Sequence, residues 1–254
     1  MVKPIQVRKT NIGAGAPKVI VPIVGKTREE IVEKAKSFKD YEIDMVEWRV
    51  DFYDDVFDTD KLLETAKQLR AALGEEMPLL FTFRTAAEGG EKPIENGLYT
   101  ELNKAIAESG YVDLVDVQIF LGDDVVTENI NNIHAAGCKV VGSNHDFHAT
   151  PEKDELVRRL VKMSDMGADI PKIAVMPQNR YDVLELFAAT AEANDKLERP
   201  LITMSMSPTG VISRLAGEVF GSSMTFGMIG KASAPGQIPV ERLQQVLNIL
   251  HESL

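Results

Sequence analysis

A chain of 254 residues with 28 Lys and Arg against 39 Asp and Glu carries a net charge of −11, which argues against nucleic acid or an anionic membrane as partner. Its 44% apolar content fills the core of one large domain, and a single cysteine, Cys138, excludes an intramolecular disulfide framework and fits a reducing compartment. The start, MVKPIQVRKT, has no apolar leader and no apolar run reaches membrane-span length, so a cytoplasmic protein is expected.

Residues 3–18 read as a polar lead in which Ile5 and Val7 alternate and Gly13 and Gly15 turn, as in a short hairpin. From there a strand–helix rhythm runs to the end. Strands are predicted at Val19–Val24, Ile43–Asp51, Leu79–Thr85, Leu114–Ile119, Lys139–Asp146, Ile170–Met176, Leu201–Ser207 and Met224–Ile229. The first helix opens on a Thr27/Glu30 capping box ahead of Ile31, Ala35 and Phe38. Leu62, Ala66, Leu69 and Leu73 form the next stripe, stopped by Gly74, and Leu98, Leu102 and Ala105 precede Gly110. Ile130 and Ile133 mark a shorter helix closed by Gly137. Thr150-Pro151 reads as an N-cap and N1 proline leading into Leu156, Leu160 and Met163. Val183, Phe187 and Ala191, then Val211, Leu215 and Val219, then Val240, Leu243, Leu247 and Leu250 complete the set. Eight such units predict an α/β fold, a single (β/α)8 TIM barrel over residues 1–254 with residues 1–17 as an N-terminal hairpin lead.

In a barrel the chemistry gathers at the C-terminal ends of the strands. Lys172 lies inside the apolar strand Asp169–Pro177, where an unpaired ammonium is costly to bury. Losing its proton relieves that cost and leaves an amine able to condense with a carbonyl. The other reading puts Lys172 at the strand's mouth, paired with a carboxylate. In Glu47-Trp48-Arg49-Val50-Asp51, period two sets the three charges on one face, lining a polar pocket or forming a self-satisfied Glu–Arg structural pair at the rim. Arg84 ends the third strand, and Glu88 sits in the glycine-rich loop after it. His145 shares a face with Ser143 and is open to three readings: a metal ligand with His148, a structural residue, or a general acid–base. His134 and His251 read as surface residues. Met204 and Met206 suit an adaptable wall, Arg214 an anion seat near a helix start, and Lys231–Gln237 a loop closing over a ligand.

Seven blocks in order carry a family resemblance: Glu47–Asp51, Phe81–Arg84 with Glu88–Glu91, Ser143–Phe147, Ala168–Pro177, Ile202–Met206, Gly210–Arg214 and Ser233–Gln237. From about residue 17 onward they resemble the type I 3-dehydroquinate dehydratases. The resemblance implies a lyase, active as a homodimer, that converts the small molecule 3-dehydroquinate to 3-dehydroshikimate in the shikimate pathway, without metal or organic cofactor. It implies a Schiff base on Lys172, proton transfer by His145 oriented by Glu88, and a seat for the substrate carboxylate at Arg214. Glu47, Trp48, Arg49, Arg84, Ser233 and Gln237 are the further substrate-binding residues it implies. One departure stands out: Gln118 occupies a position where the family pattern has an acid. A class I Schiff-base aldolase of a sugar phosphate and a non-catalytic ligand-binding barrel are the rival readings.

Overall fold

A computed structural model describes residues 2–230 and 236–254. Two short strands, β1 (Ile5–Val7) and β2 (Thr10–Ile12), pair antiparallel with Ile5 opposite Ile12. Eight parallel strands follow: β3 (Lys18–Ile23), β4 (Met45–Arg49), β5 (Leu79–Thr82), β6 (Leu114–Gln118), β7 (Lys139–Asp146), β8 (Ile170–Val175), β9 (Ile202–Ser205) and β10 (Met224–Met228). From β3 to β9 each pairs with the next in chain order, and β10 pairs with β3. A two-residue strand, β11 (Ile238–Pro239), pairs with the free edge of β10.

That edge is where the ring closes. β9 and β10 meet through the bridge from Leu201 to Ser222, with the Ser223 N–H donating to the Leu201 carbonyl at 2.8 Å. The Ser222 hydroxyl extends the seam, accepting from the Thr203 N–H at 3.0 Å.

The helices α1 (Arg28–Ser37), α2 (Thr59–Leu73), α3 (Asn96–Glu108), α4 (Asp123–Ala135), α5 (Lys153–Asp165), α6 (Arg180–Lys196), α7 (Gly217–Phe220) and α8 (Val240–Ser253) alternate with the strands. No described helix is long and apolar enough to cross a membrane. The Thr27/Glu30 capping box is formed. α5 starts at Lys153, past Thr150-Pro151, and its cap comes from another helix: the Lys153 N–H donates to the Glu185 carboxylate at 3.0 Å. The single helix predicted over Val211–Val219 is instead a 3₁₀ turn, Pro208–Arg214, followed by the four-residue α7. Local contacts break it. Ser213 Oγ accepts from the Ser205 N–H and donates to the Gly210 carbonyl, at 2.8 and 2.7 Å, tying the turn back onto β9.

Period two divides the barrel interior into levels. The lower level takes one buried apolar residue from every strand: Ile20, Met45, Leu80, Leu114, Val141, Ile170, Ile202 and Met224. Val7 and Ile12 of the hairpin pack into the same cluster, so the barrel is plugged from below. Two residues further along, the inward positions become Glu47, Thr82, Asp116, Ser143, Lys172, Met204 and Phe226. The polar groups therefore stand on an apolar floor. The alternate residues face outward and pack beneath the helices.

The same parity corrects one expectation. With Glu47 and Arg49 turned inward, Trp48 must turn outward, and its ring packs against Tyr53 and Phe81 at centroid distances of 6.1 and 5.7 Å. It belongs to the layer between sheet and helices and not to a binding surface. Trp48→Ala should accordingly cost about 3–5 kcal/mol of unfolding free energy in urea, a core truncation; a loss under about 1 kcal/mol would place the indole at the surface.

Candidate active site

The cavity at the C-terminal mouth of the barrel, about 740 Å³ with its opening, is lined by Glu47, Arg49, Arg84, His145, Lys172 and Arg214 among others. Lys172 is held by β8 at the centre, 3% exposed. Its Nζ lies 3.6 Å from Glu47 Oε1 and 3.9 Å from Asp116 Oδ2, with the Phe226 ring centroid 4.5 Å away. Burial pushes the ammonium below its ordinary pKa; Glu47 and Asp116 push back, and Arg84 and Arg49 add to the lowering. Both sequence readings hold part of the truth: the lysine is buried and has carboxylate neighbours. Neither neighbour is at ideal hydrogen-bond distance, because each is held by a hydroxyl from the adjacent strand. Thr82 donates to Glu47 Oε1 at 3.0 Å and Ser143 to Asp116 Oδ1 at 2.7 Å.

His145, near the end of β7, presents its Nδ1 to Glu88 Oε2 at 3.0 Å. Glu88 is delivered by a 3₁₀ turn, Ala86–Glu88, and closed by Gly89 in the left-handed region at φ +79°. A Cβ at Gly89 would meet the Phe147 ring at 2.5 Å, so the loop's approach to the end of β7 requires glycine. The carboxylate also accepts the His145 backbone N–H at 2.9 Å and the Asn144 amide at 3.3 Å. Burial raises Glu88 to about 7, against the lowering by Arg84 and by the Asn144 hydrogen bond. Such a pair can hold and pass one proton near neutrality. Among the described residues, no three His, Cys, Asp or Glu side chains are grouped to hold a metal ion.

Three guanidinium groups border the cavity. Arg49 makes a double contact with Asp51, 2.8 Å at each oxygen, so the rim pair in this segment is Arg49–Asp51 and not the Glu–Arg pair anticipated. Arg84 reaches Asp116 Oδ2 at 3.4 Å. Arg214, 2% exposed, is lowered to about 10, with burial as a cause. Gln237 lines the cavity, whereas Ser233 lies outside the described residues. Lys172, His145, Glu88, Glu47, Arg49, Arg84, Arg214 and Gln237 thus converge, and Trp48 does not.

Two buried participants were missed as site residues: Asp116, an inward position that follows Leu114 by period two, and Asn144, which precedes His145. Gln118 is buried beside them. Its Oε1 accepts the Thr85 N–H at 2.8 Å and its Nε2 contacts the Thr85 hydroxyl at 3.1 Å, clamping the residue that begins the Glu88 turn.

A family model described as type I 3-dehydroquinase matches residues 19–254. The chain is 51% identical over its full length to the full-length 3-dehydroquinate dehydratase of Clostridioides difficile strain 630. It is 50% identical over 99% of its length to the whole of the Salmonella typhimurium enzyme of the same name. The crystal structure of the type I enzyme from Clostridium difficile, with covalently modified comenic acid, superposes with a TM-score of 0.97 over 100% of both chains. The 3-dehydroquinate dehydratase of Geobacillus kaustophilus superposes at 0.95, 39% identical, over 98% of this chain and 97% of the other.

The raised Glu88 pKa has a sign that can be tested. Relative to an ordinary carboxyl near 4.5, a folded value of about 7 favours the folded state below the lower figure and loses that contribution as pH rises through the upper one. Urea unfolding at pH 5 and pH 8 should therefore show the parent losing on the order of 1–3 kcal/mol more than Glu88→Gln between the two. Equal losses in both proteins would mean an ordinary Glu88.

Proposed function

The chain belongs to the type I 3-dehydroquinase family, and from that premise we propose that it dehydrates 3-dehydroquinate to 3-dehydroshikimate through a Schiff base on Lys172. The observation that carries this reading is the enclosed lysine: an amine whose proton is disfavoured by burial, at the centre of a cavity ringed by guanidinium groups.

The steps follow from that arrangement. The neutral Nζ of Lys172 attacks the substrate ketone, and loss of water leaves an iminium. The cation so formed sits where the Glu47 and Asp116 carboxylates already point, 3.6 and 3.9 Å from Nζ. The iminium withdraws electrons from the neighbouring carbon, and His145 removes that carbon's proton, its Nδ1 side held by Glu88. The resulting enamine expels the hydroxyl one carbon further on, His145 returns a proton to it, and water departs. Hydrolysis of the remaining iminium frees the product and restores the amine. Arg214 receives the substrate carboxylate, and Glu47, Arg49, Arg84, Ser233 and Gln237 bind the remaining polar groups. The reaction as written draws on no metal or organic cofactor.

The same reading includes a cytoplasmic homodimer. Tyr181 and Leu184 on α6, with Val219 on the adjoining α7, leave apolar side chains exposed on the outer wall. Phe187 and Phe220 stack beneath that surface at 4.1 Å between centroids.

Borohydride added during turnover of 3-dehydroquinate should yield a stable adduct by intact mass, mapping to Lys172 and absent in Lys172→Ala. An adduct on another residue would move the active site, and dehydration without any adduct would remove the Schiff base. His145→Ala should keep the trapped adduct while turnover falls about 10²–10⁴-fold. Unimpaired elimination in that variant would take the proton transfers away from His145.

A further inference from the structure

Behind the Glu88–His145 pair a line of hydrogen bonds leaves the cavity and ends on an outer helix. Glu88 Oε2 faces His145, while Oε1 accepts from Asn144 Nδ2 at 3.3 Å. The other end of the same amide, Asn144 Oδ1, accepts from Arg159 Nη1 at 2.8 Å. Arg159 projects from α5, where Glu155 one turn earlier binds its Nε at 2.6 Å and the Phe120 ring lies 5.1 Å from its guanidinium carbon. Asn144 is buried, whereas the Arg159 side chain is 16% exposed.

An amide has a donor end and an acceptor end of almost the same shape, and only the donor end can bond to a carboxylate. Packing alone would not choose between them. A guanidinium has no acceptor, so its contact with Oδ1 compels the NH₂ group toward Glu88. We propose that Arg159 and Asn144 are positioning residues for the acid–base pair: Arg159 fixes the Asn144 amide, and the amide fixes Glu88 as an anion aimed at His145. This rests on the acid–base reading of Glu88 and His145 given above.

The charges around Glu88 make the amide's orientation matter. Arg84, two residues past β5, stands 4.0 Å away, Asp116 opposes it from β6, and His145 faces it from β7. From α5 comes Arg159 with its partner Glu155, which Arg158 also binds at 2.7 Å. A flipped Asn144 would turn its carbonyl oxygen toward the carboxylate, adding repulsion where there was a donor.

The test is a ¹³C NMR titration of the Glu88 carboxyl in the parent, Arg159→Met, Arg159→Lys and Asn144→Leu, beside the pH dependence of kcat/KM with 3-dehydroquinate. Losing one donor disfavours the anion, so Arg159→Met and Asn144→Leu should raise the Glu88 midpoint by about 0.5–1 pH unit. At pH 6, below the midpoint, kcat/KM should then drop about 3–10-fold. Arg159→Lys keeps a donor within reach of Oδ1 and should bring the midpoint back toward the parent's. Superimposable titrations in the parent and Arg159→Met would overturn the proposal. So would equal shifts in all three variants that track a loss of unfolding free energy, since that pattern describes helix packing only. If the Glu88 midpoint moves and the kcat/KM limb does not, the acid–base reading fails while the positioning of Glu88 stands.

Discussion

The constraint on which this site depends is the placing of an amine among four buried or nearly buried ions without letting any of them neutralise it directly. At about 4 Å, opposite charges attract by roughly 4 kcal/mol at the effective dielectric typical of proteins, enough to keep a lysine protonated. Glu47 and Asp116 approach Lys172 at about that range, but the Thr82 and Ser143 hydroxyls hold both carboxylates and the Arg84 guanidinium shares Asp116. The carboxylates are thus placed to meet a cation at Nζ without gripping it beforehand. Burial supplies the opposing effect and outweighs the two carboxylates, so the ammonium lies below its ordinary pKa.

The balance depends on the floor below. Eight apolar side chains, one from each strand, and the hairpin residues Val7 and Ile12 close the lower barrel. The next inward level, with Lys172 and Asp116 in it, therefore meets bulk water from one side only. Moving any one strand by a single residue would exchange its inward and outward sets. On β4 it would bring Trp48 in and turn Glu47 out.

Much of this was legible in the chain, and the reasons are local. Strand–helix alternation, the Thr27/Glu30 capping box and the apolar run enclosing Lys172 are short-range signals. Period two was legible as well, and applied strictly it sends Trp48 outward as soon as Glu47 and Arg49 turn in. What stayed hidden depends on tertiary contacts that carry no periodic signal, some of them far apart in sequence. The cap of α5 comes from Glu185, the partner of Asn144 is Arg159, and the helical spacing of Val211, Leu215 and Val219 is overridden by the contacts of Ser213 with β9. In the sequence Asp116 stands out only as the start of the Asp116-Val117-Gln118 stretch; its importance comes from pointing at a lysine two strands away.

Gln118 shows how a departure from a family pattern can be absorbed. Its position asks for an acceptor toward the Thr85 N–H and a partner for the Thr85 hydroxyl; an amide supplies both, and a carboxylate would too, with the hydroxyl as donor. The clamp on the Glu88 turn is therefore indifferent to which side chain is present. The charge is not. Glu88 is already pushed up to about 7, by burial first and by Asp116 as well. An acid at 118 would add another negative neighbour, whereas the Gln118 amide donates toward Glu88 and lowers it. With Asn144 donating as well, the neutral residue keeps Glu88 ionisable near neutrality, where a proton shared with His145 is of use.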